Sequence, residues 1–298
     1  MLDKFEFLIA LARERHFRRA AERCGVTQPT LSAGIRQLEQ TIGAALVNRG
    51  SRYIGLTPEG ERVLDWARRI TADARAMKQE VDVLRRGMSG VVRLAVIPTA
   101  LSVAARLCTL IAERHPGVRF SVRSASSKAI IGLLDDIAID GAITYLDNDP
   151  LPDLRVTPIY REGYRLVTAA DGPFGRRASV DWAELAGLPL CLFTPDMQNR
   201  RIVEQTLAAN ADGTPGGFSE TNSSLVMAAM VSSGRWSSIM PPALIEAVAL
   251  AGSVTSVPIV EPQVSHSVGL VVADREPAPA IVSALTAAAE RMVGEFDR

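Results

Sequence analysis

FRRAAERCGVTQPTLSAGIRQLEQT, residues 17–41, decides how the front of this chain folds. Phe17, Ala20, Ala21 and Cys24 recur at spacings of three and four, so a helix over 17–24 carries one apolar face. Gly25 follows, a residue that takes positive φ without steric cost. Thr27 is a good N-cap, and Pro29 falls in the first turn, where a missing N–H costs nothing. Leu31, Ile35, Leu38 and Ile42 make a second apolar stripe. Two short helices about a glycine-bearing turn predict a helix-turn-helix.

The other face of the second helix is polar near its start. Gln28, Thr30, Ser32, Ala33, Arg36 and Gln37 are mostly short or amide side chains that suit base edges in a major groove. The helix N-terminus also favours phosphate oxygens. The plain alternative is a helical hairpin with a solvated outer face, and the flanking sequence argues against it. Residues 3–13 predict a first helix, with Phe5, Leu8, Ile9 and Ala12 closing a three-helix core. Short apolar pieces on either side of a basic Gly-Ser turn, within 43–56, predict a small hairpin, a wing. Arg49 and Arg52 on it are placed for phosphate or the minor groove; a solvated basic loop is the alternative.

Thr57-Pro58 starts a long helix running to about Met88. Val63, Ile70, Met77 and Leu84 recur every seven residues, and Ala67, Ala74 and Val81 repeat the interval offset by four. Such a helix is ~46 Å long, too long to bury its stripe against a module of this size. The economical expectation is a dimerisation helix; packing on the chain's own C-terminal domain is the alternative. Gly87-Met88-Ser89-Gly90 predicts a flexible hinge.

From Val91 the pattern alternates strands and helices, which predicts a parallel α/β sheet. Strands are expected near 91–97, 118–122 and 141–145, with helices over 100–115 and 126–137. A second unit has strands near 164–168, 190–193 and 237–240, and helices near 181–186, 200–209 and 223–233. A strand over 268–272 and a helix over 278–296 close the chain.

Net charge is zero over 298 residues, but its distribution is uneven. Residues 1–57 hold nine Lys and Arg against five Asp and Glu, a net +4, so the rest carries −4. That suits a small DNA-reading module on a body that does not touch DNA. Cys24, Cys108 and Cys191 lack CxxC spacing, and His16, His115 and His266 are far apart, so neither metal nor disulfide framework is expected. The acids and arginines in the first apolar run are unlike a signal peptide, and no uncharged apolar stretch reaches about 18 residues. A cytoplasmic protein without membrane or cofactor is expected.

These residues carry a family. FRRAAERCGVTQPTLSAGIRQLEQTIGAALVNR and LTPEG resemble the N-terminal domain of LysR-type transcriptional regulators. LLDDIAIDGAI resembles the family's Leu-x-Asp-x-Ala-Ile element, and MVSSGRWSSIMP its Val-x-x-Gly-x-Gly-x-x-x-x-Pro segment. The resemblance implies a winged helix-turn-helix domain (1–57), a linker helix (58–89) and an effector-binding domain (90–298). The last would comprise two α/β subdomains, 90–161 with 267–298 and 162–266, resembling a periplasmic binding protein. It further implies an antiparallel pair of linker helices, a homotetramer that bends promoter DNA in response to a small molecule, and contact with RNA polymerase where such a regulator activates. Gln28, Pro29, Thr30, Ser32 and Arg36 match the recognition helix, and Arg49 and Arg52 the wing. Ala33-Gly34 stands where many members carry a longer polar pair, and Trp236 replaces a glycine.

An effector site also follows from the pattern. Thr99 and Ala100 follow a buried strand and open a helix, where unpaired amides and a positive dipole end favour a small anion. Ser102 adds a hydroxyl, and Ser124, Ser126 and Ser127 end the second strand in the same way. The facing wall is Thr194, Met197, Gln198 and Asn199 after the strand over 190–193, with Asn222 before the next helix. The alternative for Thr99 is a cap only. Arg200 and Arg201 are expected in solvent, with pairing to the ligand as the alternative. The TPDMQNRR run is similar to regulators beside formate dehydrogenase operons, which implies formate or a related anion. GxSxG, GxGxxG after a strand, a P-loop and HExxH are all missing, which argues against an enzyme. An effector-independent DNA-binding repressor and a redox-sensing regulator are the rival functions.

Overall fold

The computed structural model describes residues 1–49, 53–147, 154–210, 218–248 and 252–297. The chain divides into two units, Met1–Arg85 and Arg86–Arg298.

In the front unit, α1 (Leu2–Glu14), α2 (Phe17–Arg23) and α3 (Gln28–Ile42) enclose Leu8, Leu11, Ala20, Leu31, Ile35 and Leu38, none with measurable exposure. Gly25 makes the turn between α2 and α3 at φ +67°, the left-handed region that disfavours a side chain. The Thr27 side chain caps α3 by accepting from the Thr30 amide at 3.4 Å. Gly34, mid-helix, has a packing reason: a Cβ there would lie 2.6 Å from the Phe7 ring on α1. The helix gives up about 1 kcal/mol of propensity and admits an aromatic ring. Strands β1 (Val47–Arg49) and β2 (Tyr53–Leu56) pair antiparallel as the wing. The Glu39 carboxylate on α3 accepts from the Leu46 and Val47 amides at 3.0 and 3.3 Å, tying the reading helix to the wing. Of the wing arginines, Arg49 ends β1 and Arg52 lies outside the described residues.

The long helix α4 (Pro58–Arg86) starts behind Thr57, whose hydroxyl accepts from the Gly60 amide at 2.9 Å. Its stripe is divided. Ala67 is fully buried in the front unit's own core, closed to a partner helix, and half-buried Val63 packs against the same core. A three-helix core of this size needs that cover. Farther along, Ala74 is half-buried, while Ile70, Met77, Val81 and Leu84 are 39%, 62%, 51% and 83% exposed. The expected hinge is shorter than its sequence suggests, because Ser89 and Gly90 already pair with the next strands.

In the second unit, one lobe holds β3 (Ser89–Val96), α5 (Leu101–Arg114), β4 (Gly117–Ser124), α6 (Ser127–Asp135), β5 (Gly141–Tyr145) and β6 (Leu154–Glu162). A 3-10 turn, Pro98–Ala100, joins β3 to α5. The chain then crosses to β7 (Arg165–Ala169), β8 (Leu190–Phe193), α7 (Gln198–Asn210), β9 (Phe218–Thr221), α8 (Ser224–Ser232), β10 (Ser238–Met240), α9 (Pro242–Val248) and β11 (Val254–Pro258). It returns through β12 (His266–Ala273) and α10 (Ala280–Glu290). The first sheet runs β4-β3-β5-β12-β6, parallel among β4, β3 and β5, antiparallel on both sides of β12. The sheet is therefore mixed, not wholly parallel: a strand returning from the other lobe enters from the opposite end. In the second lobe β10-β7-β11 is antiparallel and β8-β9 is a parallel pair. The helix expected over 181–186 is a 3-10 turn, Trp182–Leu185. No helix among the described residues is long and apolar enough to cross a membrane.

Candidate DNA-reading helix and effector cavity

On α3, burial of Leu31, Ile35 and Leu38 turns the intervening positions outward. Thr27, Gln28, Pro29, Thr30, Ala33 and Arg36 are exposed and Ser32 is half-buried, so the anticipated reading residues share one free face. Thr27 and Thr30 hydrogen-bond to each other at 2.8 Å at its tip.

A small cavity lies between the lobes of the second unit. Ile97, Pro98, Thr99, Ser126, Ser127 and Tyr145 line it from the first lobe; Phe193, Met197, Gln198 and Asn199 line it from the second. It holds ≈ 10 Å³ of water-centre volume, room for about one water molecule. The Pro98 turn, α6 and α7 all begin on its wall. Amides at helix starts lack intrahelical acceptors and carry the positive end of the dipole.

The two walls differ in how their polar groups are engaged. Thr99 and Ser127 are buried at 1% and 5% exposure, and Ser127 accepts from Thr144 at 3.1 Å. Ser126 caps α6 by accepting from the Ala129 amide. Opposite, Gln198 accepts from Arg201. The side-chain nitrogen of Asn199, 5% exposed, has no hydrogen-bond partner among the described residues.

Several anticipated effector residues do not reach the cavity. Ala100 is buried just past its wall, and Ser102 donates to the Ala243 carbonyl at 3.0 Å. Ser124 and Asn222 are exposed, and Thr194 is not on the cavity wall. Each turn presents two or three consecutive side chains to the cavity and leaves its neighbours outside. Arg200 is 2% exposed, not in solvent: it pairs with Glu204 at 2.6 Å and Glu220 at 3.0 Å, and stacks on the Phe218 ring.

The sequence reading missed the group behind the floor. Glu162, 1% exposed, accepts from Tyr145 OH, and from Tyr160 OH at 3.0 Å. Thr99 Oγ1 lies 3.5 Å from Tyr145 OH. Burial pushes the Glu162 carboxyl up to about 7, against the pull of these hydrogen bonds. A Tyr-x-Glu-x-Tyr run at a strand end, residues 160–164, was the available signal.

Residues 2–61 match the family described as bacterial regulatory helix-turn-helix protein, lysR family, and residues 85–293 match the LysR substrate binding domain. The chain belongs to the LysR family. It is a DNA-binding transcriptional regulator with an effector-binding domain, not an enzyme. The DNA-binding transcriptional dual regulator OxyR of Escherichia coli is 28% identical over 295 residues, 98% of this chain and 96% of that one. A probable hydrogen peroxide-inducible genes activator of Mycobacterium avium is 36% identical over 191 residues, 62% of this chain and 59% of that one. Full-length OxyR from Pseudomonas aeruginosa, a cysteine-to-aspartate variant, shares the fold at TM-score 0.76 and 24% identity, covering 99% of this chain and 95% of that one.

In this LysR regulator Trp236 stays off the cavity wall and packs against the second lobe's core, beside Arg235. None of its thiols lines the cavity. Burial pushes Cys108 up to about 11, and raises Cys24 and Cys191 as well. Cys108 sits on α5 and Cys191 on β8, where its sulfur meets Met230 at 3.5 Å.

Proposed function

We propose that this LysR regulator binds promoter DNA through Gln28, Thr30, Ser32 and Arg36, and senses a small oxyanion, a carboxylate of few atoms such as formate. The observation that carries the effector is that α6 and α7 both begin on one cavity between the lobes, a ≈ 10 Å³ space that a carboxylate would fill as the lobes part. Thr99, Ser126, Ser127, Gln198 and Asn199 are the polar contacts; Met197 and Phe193 close the apolar side. The uncommitted Asn199 nitrogen supplies a donor. Arg49 and Arg52 on the wing add backbone contacts. The exposed Ile70, Met77, Val81 and Leu84 support linker-helix pairing in a homodimer, and two dimers a tetramer that contacts RNA polymerase when activating. A cytoplasmic location follows from that work.

Thermal denaturation of the full chain against formate, acetate and larger carboxylates tests the effector reading. Formate or acetate should raise Tm in a dose-dependent way; no shift with any of them rejects it and favours an effector-independent repressor. The relatives named for hydrogen peroxide favour a second reading, thiol-based redox sensing. The raised thiols weigh against it, because the thiolate is the reactive form. A Cys108→Ser, Cys191→Ser variant should keep its full response.

A further inference from the structure

We propose that Glu162 takes up a proton when the cavity binds its anion, so that the regulator responds to the anion and a proton together. This rests on the anion reading above.

The carboxyl group is fully enclosed where β6 hands the chain to the second lobe. Among the described residues no Lys or Arg forms an ion pair with it. Its contacts come from several elements: Tyr145 at the end of β5, Tyr160 on its own strand, and Thr99 from the turn after β3, which adjoins both the carboxylate and the Tyr145 hydroxyl. Tyr164 stands beyond it, its hydroxyl beside that of Tyr145. His266 is opposite Glu162 in the β6–β12 register, and its ring edges Tyr145 and Tyr164 at 6.2 and 6.5 Å. Burial holds His266 below its ordinary value, with Asp147 and Arg161 as its charged neighbours. It is therefore neutral near pH 7 and supplies no counter-charge.

Tyr145 and Thr99 both line the cavity, so two hydroxyls separate the buried carboxylate from the bound ligand. With Glu162 ionised, the Tyr145 and Thr99 hydroxyl protons both turn back toward the carboxylate and its Tyr145 partner. The floor then presents lone pairs, and an anion there faces a second negative charge across poorly screened space. Once Glu162 gains a proton from solvent, it can donate to the Tyr145 oxygen. The two hydroxyl protons are then free to turn toward the cavity, and the floor becomes a donor surface. Anion and proton each favour the other by thermodynamic linkage.

Calorimetric titration of the full chain with sodium formate, and then acetate, at pH 7.5 and 8.5 in buffers of different ionisation enthalpy counts the protons. The expected result is uptake approaching one proton per anion, with affinity falling up to tenfold per pH unit above 7. Glu162→Gln should bind with no uptake and a flat pH profile. The wild-type infrared difference spectrum at pH 8 should gain a protonated-carboxyl stretch on adding formate, a readout that holds if the variant folds poorly. Binding without uptake, or a variant that keeps the pH slope, overturns the proton linkage and leaves the anion reading standing. No binding of either anion at any pH overturns both.

Discussion

The reading helix and the sensing cavity place function on opposite sides of the same packing problem. On α3 the proposed reading residues are the ones the core does not use: Gln28 and Arg36 are exposed while Leu31 and Ile35 beside them are buried. At the cavity the residues proposed for sensing are themselves interior, with Thr99, Ser127, Asn199 and, behind them, Glu162 all at 5% exposure or less. Function and stability should therefore separate cleanly in the first region and remain entangled in the second.

Glu162 should produce the largest departure. The folded protein holds its carboxyl near 7, whereas the unfolded chain holds it near the ordinary 4.5. The folded state thus binds the proton more tightly. Its contribution to stability is full below pH 4.5 and fades as pH rises to about 7, by about 3 kcal/mol in all. Glu162→Gln should flatten that part of the curve in urea titrations across pH. An unchanged slope would mean the carboxyl is ionised as in an open site.

Arg36→Ala and Gln28→Ala come next. Each should weaken operator binding by about 1–3 kcal/mol while stability changes by no more than about 0.5 kcal/mol. Mobility shifts and thermal melts on the same samples check both halves; a matching loss of stability would break the contrast.

Gly34→Ala tests the reader's hidden constraint. Helix propensity alone favours alanine by up to about 1 kcal/mol, yet the new methyl meets the Phe7 ring at 2.6 Å. A net loss of about 1–2 kcal/mol is expected; a gain would mean the ring gives way freely. Thr99→Val should have the smallest effect on the fold, about 1 kcal/mol. It should leave operator affinity intact and blunt the effector response. A normal response would reduce Thr99 to packing.

The same contrast explains what the sequence made legible. The three-helix core, the cap at Thr27 and the turn at Gly25 are set by neighbours within a few residues, and local spacing reveals them. The Ala33-Gly34 pair reads as a loss of base contacts because Phe7, 27 positions before Gly34, is invisible to helix periodicity. The cavity draws on four separated segments, so strand ends point to Thr99, Ser126, Ser127, Met197 and Gln198 but also to Ala100, Ser102, Ser124, Thr194 and Asn222, which lie elsewhere. Tyr145 and Glu162 escape notice because a tyrosine and a glutamate at strand ends look like surface residues. β6 and β12, which carry the chain between the lobes, bring them together. Arg200 is misjudged for the same reason: its partners Glu220 and Phe218 lie across a chain reversal.

One carboxylate sets the gauge of the front unit. Because Glu39 grips the Leu46 and Val47 amides from the far end of α3, the start of the wing is set at a fixed distance from the proposed reading helix. If both proposed contacts are made, a duplex of another spacing would have to yield, since the ruler does not stretch.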